Sequence, residues 1–580
     1  MKRFLRNLLA AFTAIILFLS IIAVVVMIAT REKSPDIDDQ SWLLITLEAG
    51  LPEYPPPAGF PPMIGDAPEN LTRVLSNLQK VAVDDRIDGV IFRFDGYSDY
   101  MAHMEEIRYA VDECRAAGKK FYVYATMMNR NAYFLASACD SIFMPLTGYF
   151  DFMGMSSSAP FLKGSLEKLG IEPELSKIRE YKSAAEMMLE EEWTDYAREN
   201  REWLVDEQWK TFMKVVGQDR AMSEDQLVAA MEHALFENGG SDGVELGLLD
   251  EIIYWDELKD RIKPNNDDDE DDDEEWLVSS ATYAKVCPGS LDIEGDKTIA
   301  VVHAAGMIGG KESGMDPILG ETMGYESVNR DLRKAWKDED VAAIVFRVNS
   351  GGGDALTSDM IARQIEIITH DKPVIISMAG VAASGGYVIS YKGTEILANQ
   401  TTFTGSIGSI SGKFVMKGLY DKLGITWDFV SKGPNALMMS DYHNFTDEEW
   451  DKYHQSHLAG VHTWMRDVAK HRNMTFEEIE QLAYGRVWTG AQAKANGLID
   501  DIGGFQQAIA TAKKLAEIPK DEQVAIVHYP KQKGPLEQLM RGGDLASYLS
   551  YKTYHLFNHD IPERIKMMQQ GRWWYWDERN

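Results

Sequence analysis

An offset of 254 residues lays Tyr133 on Tyr387, Ile142 on Ile396, Gly154 on Gly408 and Ser157 on Ser411. It also superposes Lys163-Gly164 on Lys417-Gly418, and the four residues Lys168-Leu169-Gly170-Ile171 on Lys422-Leu423-Gly424-Ile425. Further on the offset becomes 250, and Gly247-Leu248-Leu249-Asp250 falls on Gly497-Leu498-Ile499-Asp500. Such a chain is built twice from one plan. At 580 residues it also exceeds what one ordinary hydrophobic core holds.

Both halves run through the same order of elements. In the first, 42–47 reads as a strand, a Pro-rich loop follows over 52–62, and Leu71–Val81 reads as a helix; 89–94 and 120–125 supply further strands. Between the halves, 267–275 is a continuous run of Asp and Glu that repels itself and cannot bury surface, so it reads as a solvated linker. The expected division is an N-terminal segment over 1–33, a first repeat over 40–263, a linker over 264–277, a second repeat over 278–525 and a tail over 526–580.

The second half carries the chemistry. Val374-Ile375-Ile376-Ser377 is a β-branched run that passes abruptly into Met378-Ala379-Gly380-Val381-Ala382-Ala383-Ser384-Gly385-Gly386-Tyr387. This predicts a buried strand delivering Ser384 to a tight strand-to-helix turn, where the Gly385 amide could hold an oxyanion as the serine attacks a carbonyl. Close packing of a helix on a sheet is the other use of such a turn. About thirty residues upstream a second strand, 341–346, ends in Asn349-Ser350-Gly351-Gly352-Gly353-Asp354, and a helical stretch over 356–368 separates the two turns. The unit is βαβ, with both turns at one sheet edge, where ligands bind.

These residues resemble the crotonase-like fold of the Clp protease and signal peptide peptidase A families, whose patterns run Asn-Ser-Pro-Gly-Gly and Ala-Ala-Ser-Gly-Gly-Tyr. Gly351 stands where the family has proline. The first half carries Arg179-Glu180-Tyr181-Lys182-Ser183-Ala184, similar to the segment that supplies the general-base lysine in the two-repeat signal peptide peptidases. The second carries Thr404-Gly405-Ser406-Ile407-Gly408, whose serine in the family hydrogen-bonds that lysine. At an offset of 254, Ser384 corresponds to Arg130 and Lys182 to Ala436, so each half lacks what the other has.

The resemblance therefore implies one site between the repeats, with Ser384 as nucleophile, Lys182 as base, Ser406 orienting the amine, and the Gly353 and Gly385 amides as the oxyanion hole. A free lysine, with a pKa near about 10.4, would be protonated at neutral pH; burial is what would make Lys182 a base. A Ser-His-Asp triad drawing on His303, His370 or His443 with Asp354 is the competing arrangement. His454, His457 and His462 lie on a helical stretch with no zinc-binding carboxylate pattern and read as a solvated face.

A net charge of -32 excludes nucleic acid as a partner, since there is no excess of Lys and Arg to displace counterions. Residues 8–30 are uncharged and apolar over 23 positions, enough to cross a bilayer; Lys2, Arg3 and Arg6 precede them. The segment predicts an uncleaved single-pass anchor in the inner membrane, with the body of the chain on the periplasmic side. The three cysteines imply no disulfide framework. The fold class expected is α/β, two tandem crotonase/Clp-protease-like domains after a transmembrane helix. The expected function is a serine endopeptidase that degrades cleaved signal peptides and other short or unfolded peptides, without metal or organic cofactor. Its partners would be those peptides, the lipid bilayer through 8–30 and further copies of itself in the tetramer the resemblance implies; a catalytically silent scaffold of the same fold is the alternative.

Overall fold

The computed structural model describes residues 34–48, 50–55, 69–233, 239–264, 275–316 and 318–531. The apolar segment 8–30, the acidic run as far as 274 and the aromatic end of the tail lie outside them. Among the described residues no helix is long and apolar enough to cross a membrane.

The first repeat contributes β1 (Ser41–Leu47), β2 (Ile87–Asp95), β3 (Lys120–Asn129), β4 (Ser141–Met144), β5 (Tyr149–Asp151), β6 (Glu172–Ile178) and β7 (Glu251–Ile252), and β8 (Leu277–Ser279) follows the acidic run. The second begins with β9 (Lys297–Ala305), and β10 (Met307–Ile308), β11 (Gly314–Asp316) and β12 (Gly320–Met323) form a small sheet of their own. It continues through β13 (Val341–Ser350), β14 (Val374–Ala383), β15 (Glu395–Ala398), β16 (Phe403–Gly405), β17 (Ser409–Val415), β18 (Val487–Thr489), β19 (Asp501–Ile502) and β20 (Val524–Tyr529).

Each repeat folds on a largely parallel sheet. The order is β7-β4-β3-β2-β1-β8 in the first, with β5 beside β3; in the second it is β18-β16-β14-β13-β9-β20, with β15 beside β14 and β19. Strands covered on both faces need near-continuous apolar sequence. Val90, Ile91 and Phe92 of β2 and Val345 and Phe346 of β13 are accordingly all buried. The helix Leu71–Val81 has the bounds the sequence predicts, and the Asn70 side chain caps it by accepting from the Arg73 amide at 3.0 Å.

The repeats meet in two ways that the separate halves of the sequence do not announce. β8 pairs in parallel with β1 at the edge of the first sheet, and Asn77 and Lys80 of the helix Leu71–Val81 hydrogen-bond Ser280 and Tyr283 just beyond it, so 278–283 pack with the first sheet although the sequence places 278 onward in the second repeat. Likewise β20 runs beyond 525 and forms the far edge of the second sheet beside β9. More important for the site, β6 of the first repeat pairs antiparallel with β17 of the second, from Ser409↔Ile178 to Val415↔Glu172. The chain leaves β6 at Ile178 and reaches Lys182 soon after, so this ladder carries the lysine into the second repeat.

Candidate active site

β13 and β14 lie side by side in parallel, Phe346 opposite Ile376, and both end at the same sheet edge. Beyond β14, Ser384 takes φ 55° and ψ -119°, a left-handed conformation unusual for a residue with a Cβ. The turn is held from both sides. The Ser384 amide donates to Gly405 O at 2.9 Å, and its carbonyl accepts from Tyr387 and Val388 as the short helix Gly385–Val388 begins. Backbone strain of this kind exposes a side chain at the tip of a turn and is stored where the surroundings over-determine it.

The glycine turn after β13 leans directly on it. A Cβ on Gly352, whose φ is +105°, would come within 2.5 Å of the Gly385 nitrogen and 2.8 Å of Ser384 Cβ. Ile308 fastens this turn from the far side, its amide donating to Gly352 O at 2.9 Å and its carbonyl accepting from the Asp354 amide at 2.8 Å. The amides of Gly353 and Gly385 are left beside one another, neither with a backbone acceptor among the described residues. Gly351, which replaces the resembled family's proline, opens the turn, with free space where its side chain would be.

Lys182 reaches this turn from the first repeat. Its Nζ lies 3.0 Å from Ser384 Oγ, 2.9 Å from Ser406 O and 2.9 Å from Ser406 Oγ. The side chain is buried with no carboxylate in that set, and burial lowers its pKa to about 7. A neutral amine has two N–H groups and one lone pair. With the two N–H groups directed at the carbonyl and hydroxyl of Ser406, the lone pair is left to accept the Ser384 hydroxyl proton. Ser406 is itself positioned by its backbone, at φ 51° with its amide donating to Arg486 O at 2.6 Å.

The five residues singled out in the sequence are thus brought to one place, and residues with no local signal hold them there. Gly485 is the first, since a Cβ there would lie 2.3 Å from the Lys182 nitrogen; only a glycine lets the lysine backbone approach so closely. Asn200 is another: its amide side chain donates to Val487 O at 2.9 Å and accepts from Val487 N at 3.0 Å, fastening a first-repeat helix to β18. Arg486 covers the Tyr181 ring at 4.3 Å. In sequence these are ordinary surface-type residues, and only the cross-repeat contact gives them a role.

The competing triad is not assembled. Asp354 caps the helix Ala355–Ile368, accepting from the Thr357 amide and hydroxyl at 2.7 Å each. His303 is stacked on Tyr54 and faces His528 at 3.0 Å, and burial beside His528 pushes its pKa well down. His370 is exposed beyond the Ala355–Ile368 helix, and the His443 ring points to Glu449. The cluster of His454 and His457 also differs from its reading as a solvated face. Both Nδ1 atoms lie within 2.9 Å of Ser176 Oγ, because the helix Asp447–Arg472 packs on the β6–β17 ladder.

The profile of peptidase family S49 matches the chain twice, over 113–267 and 366–519. The chain belongs to peptidase family S49. Among its relatives, the chloroplastic serine protease SPPA of Arabidopsis thaliana is 30% identical over 479 residues, covering 82% of this chain and 70% of that protein. Protease 4 of Salmonella typhi is 30% identical over 483 residues, covering 81% of this chain and 76% of that protein. A solved structure of a ClpP1 point mutant from Listeria monocytogenes is 14% identical, covers 36% of this chain and 94% of its own, and aligns with a TM-score of 0.23. This S49 chain is a serine-type peptidase, and one family match falls within each repeat.

Proposed function

We propose that this S49 chain is a membrane-anchored endopeptidase working through a Ser384–Lys182 dyad on cleaved signal peptides and other short or unfolded peptides. The observation that carries the reading is the buried amine of Lys182 at 3.0 Å from Ser384 Oγ, with its pKa lowered to about 7. Neutral Lys182 takes the hydroxyl proton as Ser384 Oγ attacks the scissile carbonyl. The oxygen that becomes negative is met by the amides of Gly353 and Gly385; one such donor is worth about 2.7–4 kcal/mol at the transition state. Lys182 then gives its proton to the departing amine, leaving an acyl ester on Ser384, and the Lys182 amine, neutral again, takes a proton from the water that hydrolyses the ester. Ser406 keeps the lysine aimed throughout, and no step calls on a metal or organic cofactor.

The apolar segment 8–30 would anchor the protein in the inner membrane with the dyad on the periplasmic side, close to where cleaved signal peptides are left. We further propose that copies assemble, in the tetramer the family resemblance implies, so that the site is reached by short or unfolded chains. Hydrolysis of a fluorogenic signal-peptide analogue by the solubilised full chain tests the chemistry. Ser384→Ala and Lys182→Ala should each reduce turnover by at least about 10³-fold with the fold intact. Activity persisting in Lys182→Ala would remove the lysine as base, and an inactive wild type across several such peptides would leave the silent scaffold.

A further inference from the structure

One turn of a first-repeat helix is fastened to the second repeat beside the site. The helix Asp195–Asp219 carries Glu199, Asn200 and Trp203 at the spacing that puts helical side chains one above another. Glu199 accepts from the Tyr181 hydroxyl at 2.8 Å. Asn200 takes both backbone groups of Val487, and Trp203 Nε1 donates to the same Val487 O at 3.2 Å. These grips end on the residue before Lys182 and on the residue after Arg486, whose carbonyl accepts the Ser406 amide.

Aromatic rings continue the line. Trp203 stacks on Tyr181 with ring centroids 6.1 Å apart, and on Trp488 with centroids 5.0 Å apart and planes at 17°. Trp488 lies against Gly405, where a Cβ would come within 2.8 Å of its Cδ1. Gly405 precedes Ser406, and its carbonyl accepts the Ser384 amide. Tyr181, Trp203 and Trp488 therefore form a row that runs from the neighbour of the lysine to the neighbour of the serine that receives its amine. Each polar tip has a partner, with Trp488 Nε1 on Leu482 O at 3.0 Å, so hydrogen bonds fix the rings as well as packing.

The row goes with the lysine. Thr194 and Thr446 cap the two long helices, which sets their offset at 252. At that offset Glu199, Asn200 and Trp203 fall on Asp451, Lys452 and Gln455. The second repeat has no ring in the place of Trp203, as it has no lysine in the place of Lys182, so the row serves something the common fold of the repeats does not need.

The charged groups around the amine are engaged elsewhere. Glu180 is exposed, Arg179 lies over the Tyr484 ring at 4.3 Å, Glu480 and His462 meet the Tyr484 hydroxyl, and Glu186 pairs with Lys177 at 2.7 Å. Glu199 and Arg486 are both on Tyr181, and the partners of the Lys182 amine are oxygens of Ser384 and Ser406. Exclusion of water, with no neighbouring cation, is what lowers its hold on a proton.

We infer that Trp203 is a positioning residue for the dyad: with Tyr181 and Trp488 it bars water from Lys182 and keeps the amine against Ser406. The inference rests on the reading of Lys182 as the base. It is tested by the pH dependence of kcat/KM for the fluorogenic signal-peptide analogue, using the solubilised full chain as wild type, Trp203→Ala, Trp203→Leu and Trp203→Phe. Without the ring, water reaches the amine, and the ascending limb at about 7 should move up by at least about one unit in Trp203→Ala and Trp203→Leu. Their kcat/KM at pH 7 should fall at least about fivefold and recover by about pH 9. Trp203→Phe keeps a ring between Tyr181 and Trp488 and should keep the wild-type limb. The position of the limb does not depend on how much of the chain is folded, so lost stability alone leaves it in place. An inactive wild type, or one with no limb near 7, would overturn the reading of Lys182 as base. A wild-type limb near 7 that stays put in Trp203→Ala and Trp203→Leu would overturn the role of Trp203 alone. So would a Trp203→Phe limb displaced as far as theirs, or failure of both truncations to fold by circular dichroism.

Discussion

A lysine can act as a base only where water is scarce, and the fold sets Lys182 in such a place without a carboxylate partner. Two consequences follow from a pKa lowered by burial to about 7. The kcat/KM of peptide hydrolysis should rise with pH through a limb near 7, as the amine loses its proton, and a limb left near 10 would place the base elsewhere. The same shift costs stability. Between about pH 7 and about 10.4 the unfolded chain holds the lysine proton that the folded chain has released, so folding is penalised increasingly as pH falls through that window. Lys182→Met should therefore be more stable than wild type at pH 7, by an upper bound of about 4 kcal/mol, with the gap closing towards pH 10 in denaturant titrations. The proposed role of Lys182 as a base is thus set against stability, as expected where a group is held in its unfavoured protonation state.

At the scale of elements, the site depends on how firmly β13 is tied to the first repeat. Arg347, in the middle of β13, is fully buried and forms ion pairs with Glu53 at 2.9 Å and with Glu106 of the helix Met101–Ala116 at 2.8 Å. His103 on that helix sits between Glu53 at 2.8 Å and Asp99 at 2.9 Å; burial opposes its charge, but the two carboxylates raise its pKa to about 10. Two residues beyond Arg347, Asn349 approaches His103 and accepts from the Val381 amide at 3.1 Å, on the strand that leads to Ser384. Removing one member of a buried charged set strands the others, typically at about 3–5 kcal/mol. Arg347→Met should lower the unfolding free energy by that order, leaving Glu106 buried without its counter-charge and Glu53 with His103 alone. If the variant instead unfolds at the wild-type denaturant midpoint, this network does not hold the repeats together. None of these residues looked functional in sequence, because a buried arginine and its carboxylates come from positions far apart, such as 53, 106 and 347.

For the whole molecule, the proposed topology puts the body of the chain outside the cytoplasm, and Cys287 offers a direct reading of it. Cys114 and Cys139 are buried, whereas Cys287 is exposed. A membrane-impermeant maleimide should modify Cys287 in intact spheroplasts carrying the full chain. Labelling only after lysis would place the body in the cytoplasm and overturn the orientation drawn from Lys2, Arg3 and Arg6.

Much of this molecule is written locally. Periodicity and small-residue turns determine the strands that become β13 and β14 and the helix Leu71–Val81, because burial on both faces demands an unbroken apolar run and a sharp turn demands glycine. The repeat offset determines that there are two sheets of one design, and resemblance added the pairing of Ser384 with Lys182. What the sequence alone could not decide is which parts of one repeat touch the other. The β6–β17 ladder, the approach of Gly485 to Lys182, the burial of Arg347 and the turning of His454 and His457 onto Ser176 all join residues far apart in the chain. Their energies depend on distance and exclusion of water, quantities that no local pattern of residues carries, so only the tertiary structure decided them.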